Sequence, residues 1–348
     1  MIFIKKKWGK QMAINLLELE PNKVSKDLSS YTTLLFGVPK IGKSRLAAEF
    51  PSPLFIATEP TQTTIPGAYI QPATSWSEIK QIVRQLKNPQ LKEKFKTIVI
   101  DVIDLAAVYC EKYICNQNGV EKISEIPWGA GYKMCETEFR DALYAIRNEG
   151  YGLIMISHVS NGTFKREDNT EYNERVPSIP GSKLKAVAEN LADIYAFAHM
   201  VSDDDNGGYK RVLSLRAVDP STPIGSHFPY LPDNVDLSYK ALSEALEKAI
   251  EQEEKEKGSE FFQNEQKEIA QEPEYNFDEL MAEFKTLVGQ IQKNVTKEEF
   301  KNKWAPKITE VTEKYLGVGK KVNDCTAMQS EQIVLIVDDL KAIVGEGL

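Results

Sequence analysis

The chain has 348 residues, of which 42% are hydrophobic and 27% are charged, and its formal net charge is −8 at pH 7. This length exceeds one typical domain of roughly 100–200 residues. The negative charge argues against a protein that coats nucleic acid by bulk electrostatics, so any nucleic-acid contact must be local. No apolar run approaches the roughly 18 residues that span a bilayer, so no membrane segment is predicted.

The chain begins with a basic segment, MIFIKKKWGKQ, that lacks a following apolar stretch or a small-residue cleavage site. A secretory signal is therefore not predicted, and we expect a cytoplasmic location. Residues 1–29 are treated as an N-terminal extension. The four cysteines lack the C-x-x-C spacing of zinc sites, which favours reduced, packed thiols. They are Cys110, Cys115, Cys135 and Cys325.

Short apolar runs alternate with helical stretches through the first 200 residues. The runs are TTLLFG, PLFIATE, KTIVIDVID, YGLIMISH and ADIYAFAHM. Their apolar character is continuous rather than alternating, which indicates strands buried on both faces of a mainly parallel sheet. The segment YKRVLSLRAV predicts a further strand, and a closing helix follows it. Residues 30–250 are therefore predicted to form an α/β core.

The remaining chain predicts a linker and a second, helical module. Residues 251–273 are rich in charge and glutamine, which indicates a linker or a solvated helix. Apolar residues then recur at helical spacing in three stretches, one of them preceded by the capping-box pair Thr296 and Glu299. Residues 274–348 are thus predicted to be all-α. We expect this module to mediate assembly or to bind a partner, although its helices can also cover one another.

The segment LLFGVPKIGKSRLAAEF contains the G-x-x-x-x-G-K-S spacing of a phosphate-binding P-loop. A predicted strand precedes it and a predicted helix follows it, which is the setting that the motif requires. Loop N–H groups would surround the β-phosphate, Lys43 would reach the β- and γ-phosphates, and Ser44 would bind Mg²⁺. The predicted nucleotide-binding residues are Gly37, Val38, Pro39, Lys40, Ile41, Gly42, Lys43, Ser44 and Arg45.

Polar residues end three of the other predicted strands, at the edge where the P-loop lies. Asp101 supplies the carboxylate that a Mg²⁺-nucleotide site needs, with a capping role as the alternative. Asp104 either assists it or caps the next helix. Glu59 is predicted to activate water, the alternative being a solvated strand end. His158 is predicted to sense the γ-phosphate, the alternative being a structural histidine.

This order of a P-loop, a glutamate, an aspartate and a polar strand end resembles the RecA-like core ATPases. The resemblance implies a RecA-like P-loop NTPase core with ATP and Mg²⁺ as ligands. It also implies catalytic roles for Lys43, Glu59, Asp101 and His158. His158 departs from RecA itself, where this position is usually glutamine. Phage-encoded RecA-like proteins of the single-strand-annealing type are more similar, through PWGAGYKMCETEF and SIPGSKLKAVAENLADIYAF.

The resemblance further implies that two loops, residues 115–132 and 159–180, contact single-stranded DNA in a homo-oligomeric filament. The second loop mixes basic and aromatic residues, as phosphate contacts and base stacking require, but acidic neighbours offset its charge. DNA contact and a mobile polar surface loop therefore remain alternatives. The candidate DNA contacts are Phe164, Lys165, Arg166, Tyr172 and Arg175.

Two further pairs of residues adjoin these loops. Trp128 and Tyr132 are predicted to pack inside the protein, with base stacking as the alternative. Lys183 and Lys185 stand where the resemblance implies basic fingers that reach the neighbouring subunit's γ-phosphate. Exposed lysines in the first turn of a helix are an equal alternative.

The leading hypothesis is an ATPase that binds single-stranded DNA in phage recombination or replication and whose hydrolysis DNA stimulates. A second hypothesis keeps the ATPase but gives it a protein client, such as a helicase loader would have, held by the C-terminal helices. A third is a nucleotide-gated binding module that hardly hydrolyses ATP, in which Glu59 is only structural.

Overall fold

The structure is a computed structural model that describes residues 21–59, 65–165, 171–203, 207–217, 224–264 and 275–345. The strands are β1 (Val24–Ser25), β2 (Thr32–Gly37), β3 (Pro53–Ala57), β4 (Tyr69–Pro72), β5 (Thr97–Asp101), β6 (Gly152–Lys165), β7 (Glu171–Pro177), β8 (Ile194–Ser202), β9 (Tyr209–Ser214), β10 (Gly225–Ser226), β11 (Asn234–Asp236) and β12 (Phe262–Gln263). The α-helices are α1 (Lys43–Ala48), α2 (Trp76–Gln85), α3 (Pro89–Lys94), α4 (Ile103–Asn118), α5 (Ala130–Asn148), α6 (Ser182–Leu191), α7 (Tyr239–Lys257), α8 (Phe277–Asn294), α9 (Lys297–Glu299), α10 (Ala305–Leu316) and α11 (Ser330–Gly345).

One mixed sheet organises the larger of two units, which ends at Gln271. Its strands follow the order β11-β9-β8-β2-β6-β5-β3-β4 along the described chain. The six strands from β8 to β4 are parallel, and β9 and β11 add to them in antiparallel pairing. The predicted α/β P-loop NTPase core with a mainly parallel central sheet is thereby confirmed.

The central strands β2 and β5 are buried along their length because both faces of the sheet are covered. On β2, Leu34 belongs to an apolar cluster with residues of α2, α4, α5 and α6, whereas its neighbour Leu35 belongs to a cluster with residues of α1 and α7. Ile98 and Val99 on β5 divide between the same two clusters. Polar side chains on these parallel strands are therefore concentrated at the ends of the strands. The nucleotide site was predicted at their carboxyl ends.

The strand that carries His158 is longer than predicted. β6 continues to Lys165 and pairs antiparallel with β7, in a register that runs from Val159 opposite Pro177 to Lys165 opposite Glu171. Most of the predicted loop 159–180 that the structure describes is therefore a two-stranded ribbon, and His158 lies within a strand. A ribbon satisfies backbone N–H and C=O groups by pairing, so it needs no apolar side-chain pattern of the kind that reveals a buried strand.

The larger unit also includes chain that was predicted to lie outside the core. β1, within the predicted extension, pairs in parallel with β12, within the predicted linker. Lys26 and Glu254 form an ion pair across these segments, with 2.6 Å between Nζ and Oε2. α7 continues to Lys257 because the Glu and Lys residues after position 250 are good helix formers. The core is thus longer at both ends than residues 30–250.

The smaller unit, from Glu272 onward, contains the helices α8 to α11. Its centre includes Leu280 of α8 with Ile333 and Leu340 of α11, all nearly inaccessible to solvent. Thr296 caps α9 by accepting a hydrogen bond from the Glu299 N–H, as its sequence pattern predicted. The predicted all-α module is confirmed. Within the described ranges, no helix combines the length and apolar composition needed to cross a bilayer.

We expect Gly152→Ala to destabilise the protein by about 1–3 kcal/mol, because a Cβ at this first residue of β6 would lie 2.3 Å from the Ser29 carbonyl oxygen. Urea unfolding measures the change. Gly225→Ala is the matched control, since a Cβ there meets no atom within 4 Å, and it should shift the free energy of unfolding by no more than about 0.5 kcal/mol. Equal stability of the two variants would contradict the close packing of residues 28–30 against β6.

Candidate nucleotide site

The P-loop connects β2 to α1 and is held in its path by neighbouring strands. A Cβ on Gly37 would lie 2.3 Å from the Ala198 carbonyl oxygen of β8. Gly42 has a φ of +123°, and a Cβ there would lie 3.2 Å from Cδ2 of Leu237. Lys40 has a φ of +65°, an uncommon conformation for a residue with a side chain. The glycine spacing of the motif therefore has a steric cause as well as a role in phosphate binding.

The P-loop lysine folds back across its own loop. The side chain of Lys43 is buried, and Nζ donates hydrogen bonds to the carbonyl oxygens of Gly37 at 2.7 Å and Val38 at 3.0 Å. Burial lowers its pKa to about 8, and the charges of Asp101, Asp104 and Glu59 act in the opposite direction. The structure thus brings three carboxylates from separate segments into the surroundings of one ammonium group.

Thr58 connects the two carboxylate-bearing strands and was missed by the sequence analysis. Its hydroxyl donates to the Val102 carbonyl at 2.8 Å and accepts from the Val102 N–H at 2.7 Å. Its own N–H donates to the Asp101 carbonyl at 2.9 Å. These bonds hold Glu59 beside Asp101, which is 2% exposed. The sequence feature that could have revealed this residue is its type and place, since it is a polar β-branched residue between a buried strand and the candidate glutamate.

Asp104 bonds to β6 rather than capping its own helix. The N-cap of α4 is Val102, so the capping alternative is wrong. The Asp104 carboxylate accepts hydrogen bonds from the Ser157 hydroxyl at 2.5 Å and the His158 N–H at 2.8 Å, and His158 Nδ1 lies 3.3 Å away. Burial raises the Asp104 pKa, and these bonds oppose the rise. Asp104 therefore connects the start of α4 to His158.

The residues present fit a magnesium nucleotide. The motif places the Ser44 hydroxyl in the first turn of α1, and the Asp101 carboxylate ends β5, so both are hard oxygen ligands. Over the described ranges, no group of three or more His, Cys, Asp or Glu side chains could hold a metal ion alone. Magnesium commonly takes one or two protein ligands together with substrate phosphates, so Ser44 and Asp101 would hold the ion jointly with the nucleotide.

The candidate DNA contacts lie on the β6–β7 ribbon as far as they are described. Phe164 is opposite Tyr172 in the strand register, and Lys165 is the last residue of β6. Arg166 lies outside the described residues. Arg175 is exposed, and its guanidinium carbon lies 5.7 Å from the centre of the Phe197 ring.

The first predicted loop presents a tryptophan to solvent. Trp128 is 102% exposed and has a φ of +60°, so the prediction that it packs inside is wrong. Tyr132, in the first turn of α5, is 45% exposed, so the prediction that it packs inside is also wrong. The cause is local, since the left-handed backbone at Trp128 and Gly129 turns the chain just before α5 begins.

The two candidate finger lysines lie in the first turn of α6. Lys183 is exposed, and its Nζ lies 3.5 Å from Oε2 of Glu136 on α5. Lys185 is half-buried and lines a groove that also contains Glu174 and Glu189. Within one chain, both lysines therefore lie beside acidic residues. A role toward a neighbouring subunit stays a prediction.

We expect nucleotide affinity to fall as pH rises through about 8, because the free protein then loses the Lys43 proton and a neutral amine binds phosphate poorly. If bound phosphate keeps Lys43 charged, ADP should bind about 30-fold more weakly at pH 9.5 than at pH 7. Calorimetric titration measures this. Lys43→Arg is the control, since guanidinium stays charged throughout. An equal fall in that variant would assign the effect to another group.

We expect Thr58→Val to cost about 1–3 kcal/mol of folding free energy, because it leaves the buried N–H and C=O of Val102 without their hydroxyl partner. It should also weaken Mg²⁺-dependent nucleotide binding through the adjacent Asp101. Thr58→Ser keeps the hydroxyl and is the matched control. Urea unfolding and calorimetry compare the two, and equal behaviour would show that the hydroxyl has no positioning role.

Comparison with known proteins gives a family, one similar sequence and one similar solved structure. Residues 29–220, more than half of the chain, match the family described as AAA domain. The chain is similar to the SPbeta prophage-derived uncharacterized protein YorG of Bacillus subtilis (strain 168), with 27% identity over 340 residues that cover 96% of this chain and 100% of the relative. It is also similar to the solved structure of the KaiC-like protein PH0186 of Pyrococcus horikoshii OT3, with 13% identity, a TM-score of 0.34, and coverage of 57% of this chain and 88% of that one. The chain belongs to the AAA domain family, and its larger unit is a P-loop ATPase domain.

Proposed function

We propose that the protein hydrolyses ATP with Mg²⁺ and uses the cycle to bind and release single-stranded DNA in phage recombination or replication. The observation that carries the ATPase part is the surrounding of Lys43 by Asp101, Asp104 and Glu59 beside the P-loop. A buried lysine with carboxylates at the carboxyl edge of a parallel sheet suits a bound triphosphate and an activated water.

Each residue has a role that follows from its place. Lys43 would leave the carbonyl oxygens of Gly37 and Val38 and donate to the β- and γ-phosphates. Ser44 and Asp101 would hold the magnesium ion, which neutralises charge on the phosphates when bound. Glu59 would accept a proton from the attacking water or orient it.

The connection to DNA runs along β6. His158 pairs with Gly37 of the P-loop strand and bonds to Asp104, so it lies between the phosphate loop and the ribbon. A change at the γ-phosphate that moves His158 would be passed along the strand to Lys165 and the ribbon, where the DNA candidates lie. Homo-oligomer formation, with Lys183 and Lys185 facing a neighbouring nucleotide, belongs to this same proposal. The similarity to a prophage-derived protein supports the phage context.

The second candidate is an ATPase with a protein client, such as a replication or recombination protein held by the C-terminal helices. Two observations favour it. The net charge is −8, which opposes binding to a polyanion. Trp128 is fully exposed, and tryptophan is enriched in protein–protein interfaces.

ATP hydrolysis by the full chain, measured with and without single-stranded DNA over a salt series, tests the proposal. We expect Mg²⁺-dependent hydrolysis that DNA stimulates and that salt suppresses, because phosphate contacts release counterions. Glu59→Gln should lower the hydrolysis rate by about 10²–10⁴-fold while ATP binding persists. Glu247→Gln, an exposed glutamate of α7, is the matched control and should leave the rate unchanged.

Three outcomes would count against parts of this proposal. Full hydrolysis by Lys43→Ala would remove the site assignment. A hydrolysis rate that DNA does not change but that a purified replication protein raises would favour the protein client. Slow hydrolysis that Glu59→Gln does not change would favour a nucleotide-gated binding module.

A further inference from the structure

The antiparallel strand β9 carries a basic residue on the face that packs against the P-loop. Leu213 of β9 belongs to the same apolar cluster as Ile41 of the loop and Leu46 of α1. Side chains two residues apart on a strand lie on the same face, so Arg211 lies on the same face as Leu213. It directly precedes the buried half of the strand. Arg211 is exposed, whereas its neighbour Val212 is buried on the other face.

The Arg211 guanidinium lies next to the phosphate loop. Its Nη1 atom is 3.8 Å from the position that a Cβ on Gly42 would occupy. Gly42 is the residue immediately before Lys43, at the point where the loop enters the helix. The Arg211 carbonyl accepts a hydrogen bond of 3.3 Å from the N–H of Leu237, whose side chain touches the same point of the loop. The strand and the segment after it therefore hold the guanidinium beside the loop.

The net negative charge of the site would favour a second cation such as Arg211. Lys43 has the three carboxylates Asp101, Asp104 and Glu59 in its electrostatic surroundings, so these four groups together are negative. A nucleotide phosphate chain adds further negative charge, which a cation besides Lys43 and magnesium would help to offset. In the part of the chain that the structure describes, the Arg211 side chain forms no ion pair or hydrogen bond with another residue. Its donors are available to a ligand.

We propose that Arg211 binds the phosphate chain of the nucleotide, as a second protein cation beside Lys43 and within the same subunit. The proposal rests on the proposed nucleotide function and adds a residue from outside the P-loop motif. Guanidinium presents a planar set of donors that matches phosphate oxygens in pairs, which a lysine ammonium cannot do. Nucleotide binding would then join β9 and the following segment to the P-loop through one ligand.

Calorimetric titration of the full chain with ADP and Mg²⁺ tests the proposal in Arg211→Ala, Arg211→Lys and Lys210→Ala. Lys210 is the matched control, an exposed cation one residue earlier on β9 whose side chain points to the opposite face. We expect Arg211→Ala to weaken ADP binding by about 10–100-fold, because a charge-assisted hydrogen bond is lost. Arg211→Lys should fall between Arg211→Ala and the wild type. Lys210→Ala should stay within about twofold of the wild type.

The outcomes separate this proposal from the one on which it rests. Wild-type protein that bound no ADP would overturn both. ADP binding that is normal in the wild type and in Arg211→Ala, but lost in Lys43→Ala, would overturn only the role of Arg211. A loss in Arg211→Ala that remains equally large at high salt would also count against it, since contact with phosphate is an electrostatic interaction that salt weakens.

Discussion

The Lys43 ammonium is held inside the protein among three carboxylates, and much of the site depends on this arrangement. Burial alone disfavours a charged lysine, and nearby negative charge opposes that cost. Asp101, Asp104 and Glu59 come from the end of β5, the start of α4 and the segment after β3, so they gather only when the sheet is assembled. The Gly37 and Val38 carbonyls accept the hydrogen bonds of the Lys43 Nζ atom.

This arrangement follows from the parallel sheet. Helices on both faces make the interior of each strand apolar, so the charged groups of the site collect where the strands end. Thr58 then joins the ends of β3 and β5, and Asp104 joins α4 to β6. These two sets of hydrogen bonds tie the carboxylate segments to one another. Arg211 of β9 also lies at this end of the sheet, next to Gly42 of the P-loop.

The β6–β7 ribbon extends directly from the strand that borders the candidate site. Because β6 continues without interruption from Gly152 to Lys165, His158 belongs to the same strand as the DNA candidates Phe164 and Lys165. The exposed Trp128 and the lysines of α6 lie on other segments of the chain.

The sequence by itself determined the P-loop, the order of the parallel strands along the chain, and the carboxylates at their ends. It could do so because the P-loop spacing and continuous apolar runs are local patterns, and because parallel strands place their carboxyl ends at one edge. Only the tertiary structure showed the hydrogen-bond partners of Thr58 and Asp104 and the position of Arg211 beside Gly42, since each involves residues distant in the chain. It also decided the ribbon, the pairing of β1 with β12 and the exposure of Trp128. These features depend on backbone pairing and local backbone conformation, which apolar periodicity does not record.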